Sequence, residues 1–214
     1  MIRAAPPPDC PLCPRLAAYR RKLRATRPDW HNAPVDSFGD PRARLLVVGL
    51  APGASGANRT GRPFTGDFAG ELLYAALIRH GLARGRFLAR PDDGLRLADC
   101  RITNAVRCVP PANKPTGPET ATCRRFLADE LKAGPAPRVV LALGRIAWES
   151  VLRALGQIPA RFPFAHEAVA RPPAGPVVVG TYHTSRYNVN TGRLTAEMFE
   201  HAVTRAAALL RGPG

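Results

Sequence analysis

The chain has 214 residues, 45% of them hydrophobic, which is enough for one sizeable core and an ordinary globular composition. Its 31 Lys and Arg against 16 Asp and Glu give a formal net charge of +15, so polyanions, nucleic acid first among them, are the expected partners. No apolar run approaches the ~18 residues that span a bilayer, and the proline-rich start "MIRAAPPPDCPLCPRL" lacks the apolar stretch of a secretory signal. A soluble cytoplasmic protein with no membrane partner is expected, gathered on the nucleoid if the source is a prokaryote.

In chain order, residues 1–14 carry Cys10 and Cys13, and "RLAAYRRKLRAT" (15–26) reads as a basic helix with Leu16, Tyr19 and Leu23 on one face. Residues 30–41 read as loop. Four short, nearly continuous apolar runs follow at 45–50, 100–105, 139–143 and 177–180, the pattern of strands buried on both faces. Helical patterns lie between them. "FAGELLYAALIRHGL" begins after Asp67, with Gly81 as its stop. "TGPETATCRRFLADELKAG" opens with the capping-box pair Thr116 and Glu119 and has Pro118 in its first turn. "RIAWESVLRALG" follows Gly144, and "TAEMFEHAVTRAAALLR" runs from Thr195. Strands alternating with helices predict an α/β fold: one domain over 1–214, three layers α/β/α, with a central, mainly parallel, four-stranded sheet. Sites in such a sheet lie beyond the carboxyl ends of the strands, where loops 51–67, 106–115 and 182–193 emerge.

Five cysteines in a reducing compartment favour metal ligation over disulfides. Cys10 and Cys13 can offer two thiolates to one centre, and Cys108 with Cys123 can add two more. A four-thiolate set suits tetrahedral zinc or an iron–sulfur cluster, and spacing does not separate the two. The plainer alternative makes Cys108 and Cys123 small buried hydrophobes; Cys100, in a strand, reads as core. A centre joining residue 10 to residue 123 would tie an N-terminal arm (about 1–30) to the body in a structural role.

The first loop, "GLAPGASGANRTGRPFTGD", is glycine-rich but has neither the lysine of a phosphate-binding P-loop nor a dinucleotide glycine spacing. It leaves a cationic cradle with Arg59 and Arg62, then Phe64 and Asp67. Locally, Asp67 reads as a helix N-cap and Phe64 as a core plug. The second loop holds Asn113 in a frame of prolines, where its amide could read the edge of a base or simply make a turn. The third, "TYHTSRYNVNTGR", places His183 at a strand end, followed by Ser185, Arg186, Tyr187, Asn188 and Asn190, groups able to meet a DNA backbone.

Together "GLAPGASGANRTGRPFTGD", "VRCVPPANKPT" and "YHTSRYNVNTGRLT" resemble the motifs of the uracil-DNA glycosylase superfamily, and within it family 5, the type B enzymes. The resemblance spans nearly the whole chain and implies a sheet flanked by helices. It also implies a [4Fe–4S] cluster on Cys10, Cys13, Cys108 and Cys123, in a structural role. By resemblance Asp67 orients water or stabilises the sugar cation, and His183 donates a hydrogen bond to the leaving base. Asn113 bonds the base edge, Phe64 stacks on its face, and Gly53 and Ala54 line the pocket with backbone amides. The segment from Ser185 to Asn190 presses into the DNA, with Arg186 or Tyr187 filling the gap. Two departures stand out: Leu50 occupies the place of the glutamate of family 4, and Thr184 replaces the usual proline after the histidine. The implied activity is excision of uracil and other deaminated bases, hypoxanthine among them, from double-stranded DNA (single-stranded DNA as a second form) by a monomer. Two further readings are a non-catalytic DNA-binding protein with a structural metal, and a nucleotide phosphohydrolase. The second is weakened by the missing lysine.

Overall fold

The computed structural model describes residues 5–132, 135 and 137–212. The first four residues of the arm, Ala133 and Gly134 at the end of the second predicted helix, Ala136, and the last two residues of the predicted 1–214 domain lie outside them.

After α1 (Pro14–Thr26) come β1 (Phe38–Gly39), β2 (Leu45–Gly49), α2 (Ala57–Thr60) and α3 (Phe68–Arg79). The short strands β3 (Ala83–Arg84) and β4 (Arg96–Leu97) pair antiparallel, and β5 (Cys100–Asn104) leads to α4 (Gly117–Lys132). Then follow β6 (Val139–Leu143), α5 (Arg145–Ala154), β7 (Val169–Ala170), β8 (Val177–Thr181), α6 (Arg186–Asn190) and α7 (Ala196–Arg211).

The four apolar runs form the four central strands, in the order β5-β2-β6-β8, all parallel. Leu45 sits opposite both Cys100 and Val139, and Val139 opposite Val177. The expected count of four strands is corrected to six: β1 adds antiparallel to β5 at one edge, and β7 to β8 at the other. Two residues carry no readable period, so these edges leave no trace in the hydrophobic pattern.

Alternation along the strands sorts the side chains between two layers of helix. Leu45, Val47, Leu141 and Val179 pack with Leu73, Leu77, Phe199 and Val203 of α3 and α7. Leu46, Val48, Val140 and Val178 pack with Leu127 of α4 and Trp148 and Val151 of α5. Each such side chain contributes roughly 1.5–3 kcal/mol on burial, so both faces are needed to hold the sheet. The predicted helix starts are realised: the Thr116 amide donates to Glu119 Oε2 at 2.7 Å, and Thr195 Oγ1 accepts from the Met198 amide at 3.1 Å. No helix of the described residues is long and apolar enough to cross a membrane.

A third, smaller cluster joins Cys10 and Leu16 of the arm to Val106, Cys108, Cys123 and Phe126. Arg15 reinforces it with a two-pronged bond to Glu119, both contacts at 2.7 Å.

Candidate active site

All three loops converge beyond the carboxyl ends of the parallel strands, as the sheet topology requires. They enclose a cavity of about 600 Å³ whose walls include Gly53, Asp67, Asn113, His183, Ser185 and Arg186. Ala54, expected beside Gly53, is not among its lining residues.

Asp67 occupies the N-cap position of α3, with extended backbone (φ −134°, ψ 167°), yet its side chain makes no capping hydrogen bond. Its Oδ1 is buried and unpartnered. Burial raises its pKa, and the nearby amides of Gly70 and Ala69 only partly oppose the shift. The first-loop glycines explain how the carboxylate fits: a Cβ at residue 53 would stand 3.0 Å from Asp67 Oδ2, and one at residue 56 would overlap the carboxylate outright. Both glycines therefore make room for a side chain rather than for a phosphate.

His183 lies across the cavity. Desolvation alone pushes its pKa down to about 4, so the imidazole is neutral at physiological pH. Asn188 Nδ2 donates to the His183 carbonyl at 2.8 Å, and Ser185 N-caps α6 by accepting from the Asn188 amide. Two residues expected at the DNA thus also shape the turn that carries the histidine.

Beneath the main cavity is a pocket of about 30 Å³ touched by Phe64, Asp67, Asn104 and His183. Phe64 is buried, has a left-handed backbone (φ 53°), and its ring centroid is 6.1 Å from that of His183. Asn104 escapes a search for unusual loop residues because it ends β5. Its signal is an amide at the carboxyl end of an otherwise apolar strand, buried but without a hydrogen-bond clash to absorb it. Asn113, also left-handed (φ 56°), stands exposed at the mouth.

The cationic residues divide. Arg59 is exposed, its Nε on the Ser55 carbonyl at 2.8 Å. Arg186 is exposed over the Phe68 ring, Asn190 is exposed, and Tyr187 is 71% exposed. Arg62 departs from the expected DNA contact. Its side chain is 6% exposed, pairs with both oxygens of the fully buried Asp93 at 2.8 Å, and lies among the rings of Phe38, Tyr74 and Phe87. The cradle needs this pair inside: Arg62 Nε donates to Thr65 Oγ1, next to Phe64.

Cys10, Cys13, Cys108 and Cys123 line one small cavity with Leu16, Arg20 and Phe126. Arg20 Nη1 donates to Cys108 Sγ at 2.9 Å, and the Arg107 amide to Cys123 Sγ at 3.3 Å. Burial pushes the Cys13 thiol up to about 11 and the Cys108 thiol to about 12. Among the described residues no set of three His, Cys, Asp or Glu side chains is disposed to hold a single metal ion. Cys100 lies apart, in the sheet core.

A carboxylate, a neutral imidazole and amides around a base-sized cavity on a parallel α/β sheet define a protein built to receive one planar polar group. A family model described as the uracil DNA glycosylase superfamily matches residues 37–207, and the chain belongs to that superfamily. It is 48% identical to the Type-5 uracil-DNA glycosylase of Thermus thermophilus, over 94% of this chain and 93% of that protein. The Type-5 uracil-DNA glycosylase of Pyrobaculum aerophilum is 44% identical over 94% of this chain and 88% of its own length. A Type-4 uracil-DNA glycosylase of that organism is 35% identical, over 70% of this chain and 62% of its own.

Proposed function

We propose that the chain hydrolyses the N-glycosidic bond of uracil in DNA, and of hypoxanthine and other deaminated bases, leaving an abasic site and so starting base-excision repair. The observation that carries this is the buried, unpartnered Asp67 oxygen facing a 600 Å³ cavity opposite a neutral His183. Membership of the superfamily makes the chain a DNA-acting glycosylase.

Bond cleavage builds positive charge on the sugar and negative charge on the departing base, and both ends need preorganised partners. The target nucleotide first leaves the stack. Asp67 then holds the attacking water against the sugar carbon and offsets the sugar's charge. A neutral His183 keeps an N–H for the base oxygen without a protonation step. Asn113 at the mouth and Asn104 at the floor offer amide donors and acceptors to the base edge, while Phe64 supports its face from below. Arg59, Arg186 and Tyr187 meet the duplex, and Tyr187 or Arg186 fills the space left in it. No lysine lines the cavity, so a Schiff-base strand cut is not part of the reaction. The enzyme acts as a monomer on duplex DNA and accepts single strands.

The four cysteines suit a [4Fe–4S] cluster. Their thiols share one cavity, are too dispersed for one ion, and receive N–H donors from Arg20 and Arg107, which is the second shell such a cluster needs. Bound there, it would supply a cross-link between arm and body. Iron binding would also favour the thiolates that burial disfavours.

The test is to incubate pure protein with duplexes holding one uracil or one hypoxanthine and cleave abasic sites with alkali. Cut strands with the native protein, and intact ones with D67N, are expected. Tight binding without turnover on any damaged base would instead mark a non-catalytic DNA-binding protein.

A further inference from the structure

Between α4 and α5, outside the cavity described above, is a cleft of about 300 Å³ lined by Thr120, Arg124, Glu149, Ser150 and Arg153. Packing does not account for its polar groups. Ser150 is 1% exposed, and its Oγ has no hydrogen-bond partner. A hydroxyl buried in this way costs about 1–3 kcal/mol unless something satisfies it. Arg124 Nε is likewise buried and unpartnered. None of the ion pairs among the described residues includes Arg124 or Arg153.

Two guanidinium groups therefore face one cleft with Glu149 as its single carboxylate, which leaves it cationic. Burial, and then the charge of Arg153, disfavour the protonated form of Arg124, the condition an anion placed between them would relieve. The donors are two planar forks and a hydroxyl. Thr120 spends its own proton on the Thr116 carbonyl at 3.0 Å and keeps only lone pairs. Forks and hydroxyls converging without a carboxylate partner match a tetrahedral oxoanion.

The location adds the source. Both helices begin where β5 and β6 end, on the side of the active site. The cleft reaches Pro115, at the end of the Asn113 loop, and Ile146, in the first turn of α5. Ile146 also borders a cavity of about 260 Å³ that extends to His183. A DNA strand with one nucleotide at His183 would carry its backbone over this end of the molecule.

We propose that the α4–α5 cleft is a phosphate-binding site, filled in the complex by a backbone phosphate of the DNA strand away from the flipped nucleotide. The DNA source rests on the glycosylase function proposed above; the anion site itself does not. The test compares full-length native protein with the R124Q/R153Q double variant on a duplex whose single uridine carries a fluorine on the sugar, which slows cleavage. The slope of log affinity against log salt is expected to become shallower by about 1 to 2 in the variant. On ordinary uracil duplex KM should rise while kcat holds. R153Q alone, at an exposed position, carries the comparison if the double variant melts early.

In a second arm, inorganic phosphate is added to protein without DNA. If the slope is unchanged but phosphate raises the Tm of native protein and not of the variant, the site stands and takes free phosphate. If neither slope nor Tm separates the two proteins, the proposal is overturned. Native protein that cannot excise uracil from the same duplex refutes the glycosylase function instead, and the phosphate arm then decides the site alone.

Discussion

Gly56 and Asp67 occupy one another's space: any side chain at 56 would overlap the Asp67 carboxylate, although the loop between them includes the whole of α2. The missing Cβ is thus part of the catalytic geometry. A methyl group at 56 must push the carboxylate off its position, and a displacement on the order of 1 Å can cost about 100-fold in rate. G56A is expected to lower kcat by about that factor while its circular dichroism and DNA affinity stay close to native. Unchanged kcat would show that the carboxylate has freedom to move.

Asp67 also sets a trade between stability and activity. Its folded pKa is raised, so ionising it costs more in the fold than in the unfolded chain. Stability from this group is therefore full at low pH and is lost as pH rises through the folded pKa. D67N removes the charge and should melt at higher temperature than native protein at neutral pH, with the gap closing on acidification, while activity disappears. Thermal melts across pH check both signs.

His183 leads to a distinct expectation for the pH profile. With its pKa pushed to about 4 rather than the ordinary 6.5, it stays neutral through mildly acidic conditions. The acid limb of kcat/KM should then follow Asp67, with no inflection near 6.5. For stability the sign is opposite to that of Asp67: between the two histidine values only the unfolded chain takes up the proton, so stability falls as pH drops through that window. An activity step near 6.5 that vanishes in H183N would contradict a neutral resting imidazole.

Removing Arg62 tests the inward ion pair. R62Q leaves Asp93 buried with half its partners gone, a loss of about 3–5 kcal/mol for pairs of this kind. Its Tm should fall steeply. Because Arg62 does not face the DNA, the salt slope of duplex binding should stay at the native value. A shallower slope would return Arg62 to the DNA surface.

The cysteine centre has an optical readout. C108S and C123S should each abolish broad visible absorption and bound iron. R20Q, which takes a donor from Cys108, should leave iron in place but more readily lost to chelators. The arm should also become the first site of limited proteolysis when the iron is removed. Colourless native protein with bound zinc would refute the cluster.

What could be read without coordinates follows from how local each signal is. The central strands announce themselves as apolar runs, and Thr116 with Glu119 announces a helix start, because both patterns lie within a few residues. Asp67 looks like an N-cap over that range; only its fit against Gly56 shows otherwise. Arg62 looks like an outward cation because Asp93, which claims it, sits on a distant loop without pattern. Asn104 was hidden by its own strand, and the short helices α2 and α6 by the loops that contain them.

The two-residue strands β1 and β7 have a consequence for life on a polymer. They run antiparallel along the two outer members of the parallel sheet and cover them with minimal length. Many copies drawn by charge to the same stretch of DNA are brought to high local concentration, where long open strand edges would zip together. With both flanks closed by stubs too brief to template a neighbour, crowding need not turn into aggregation.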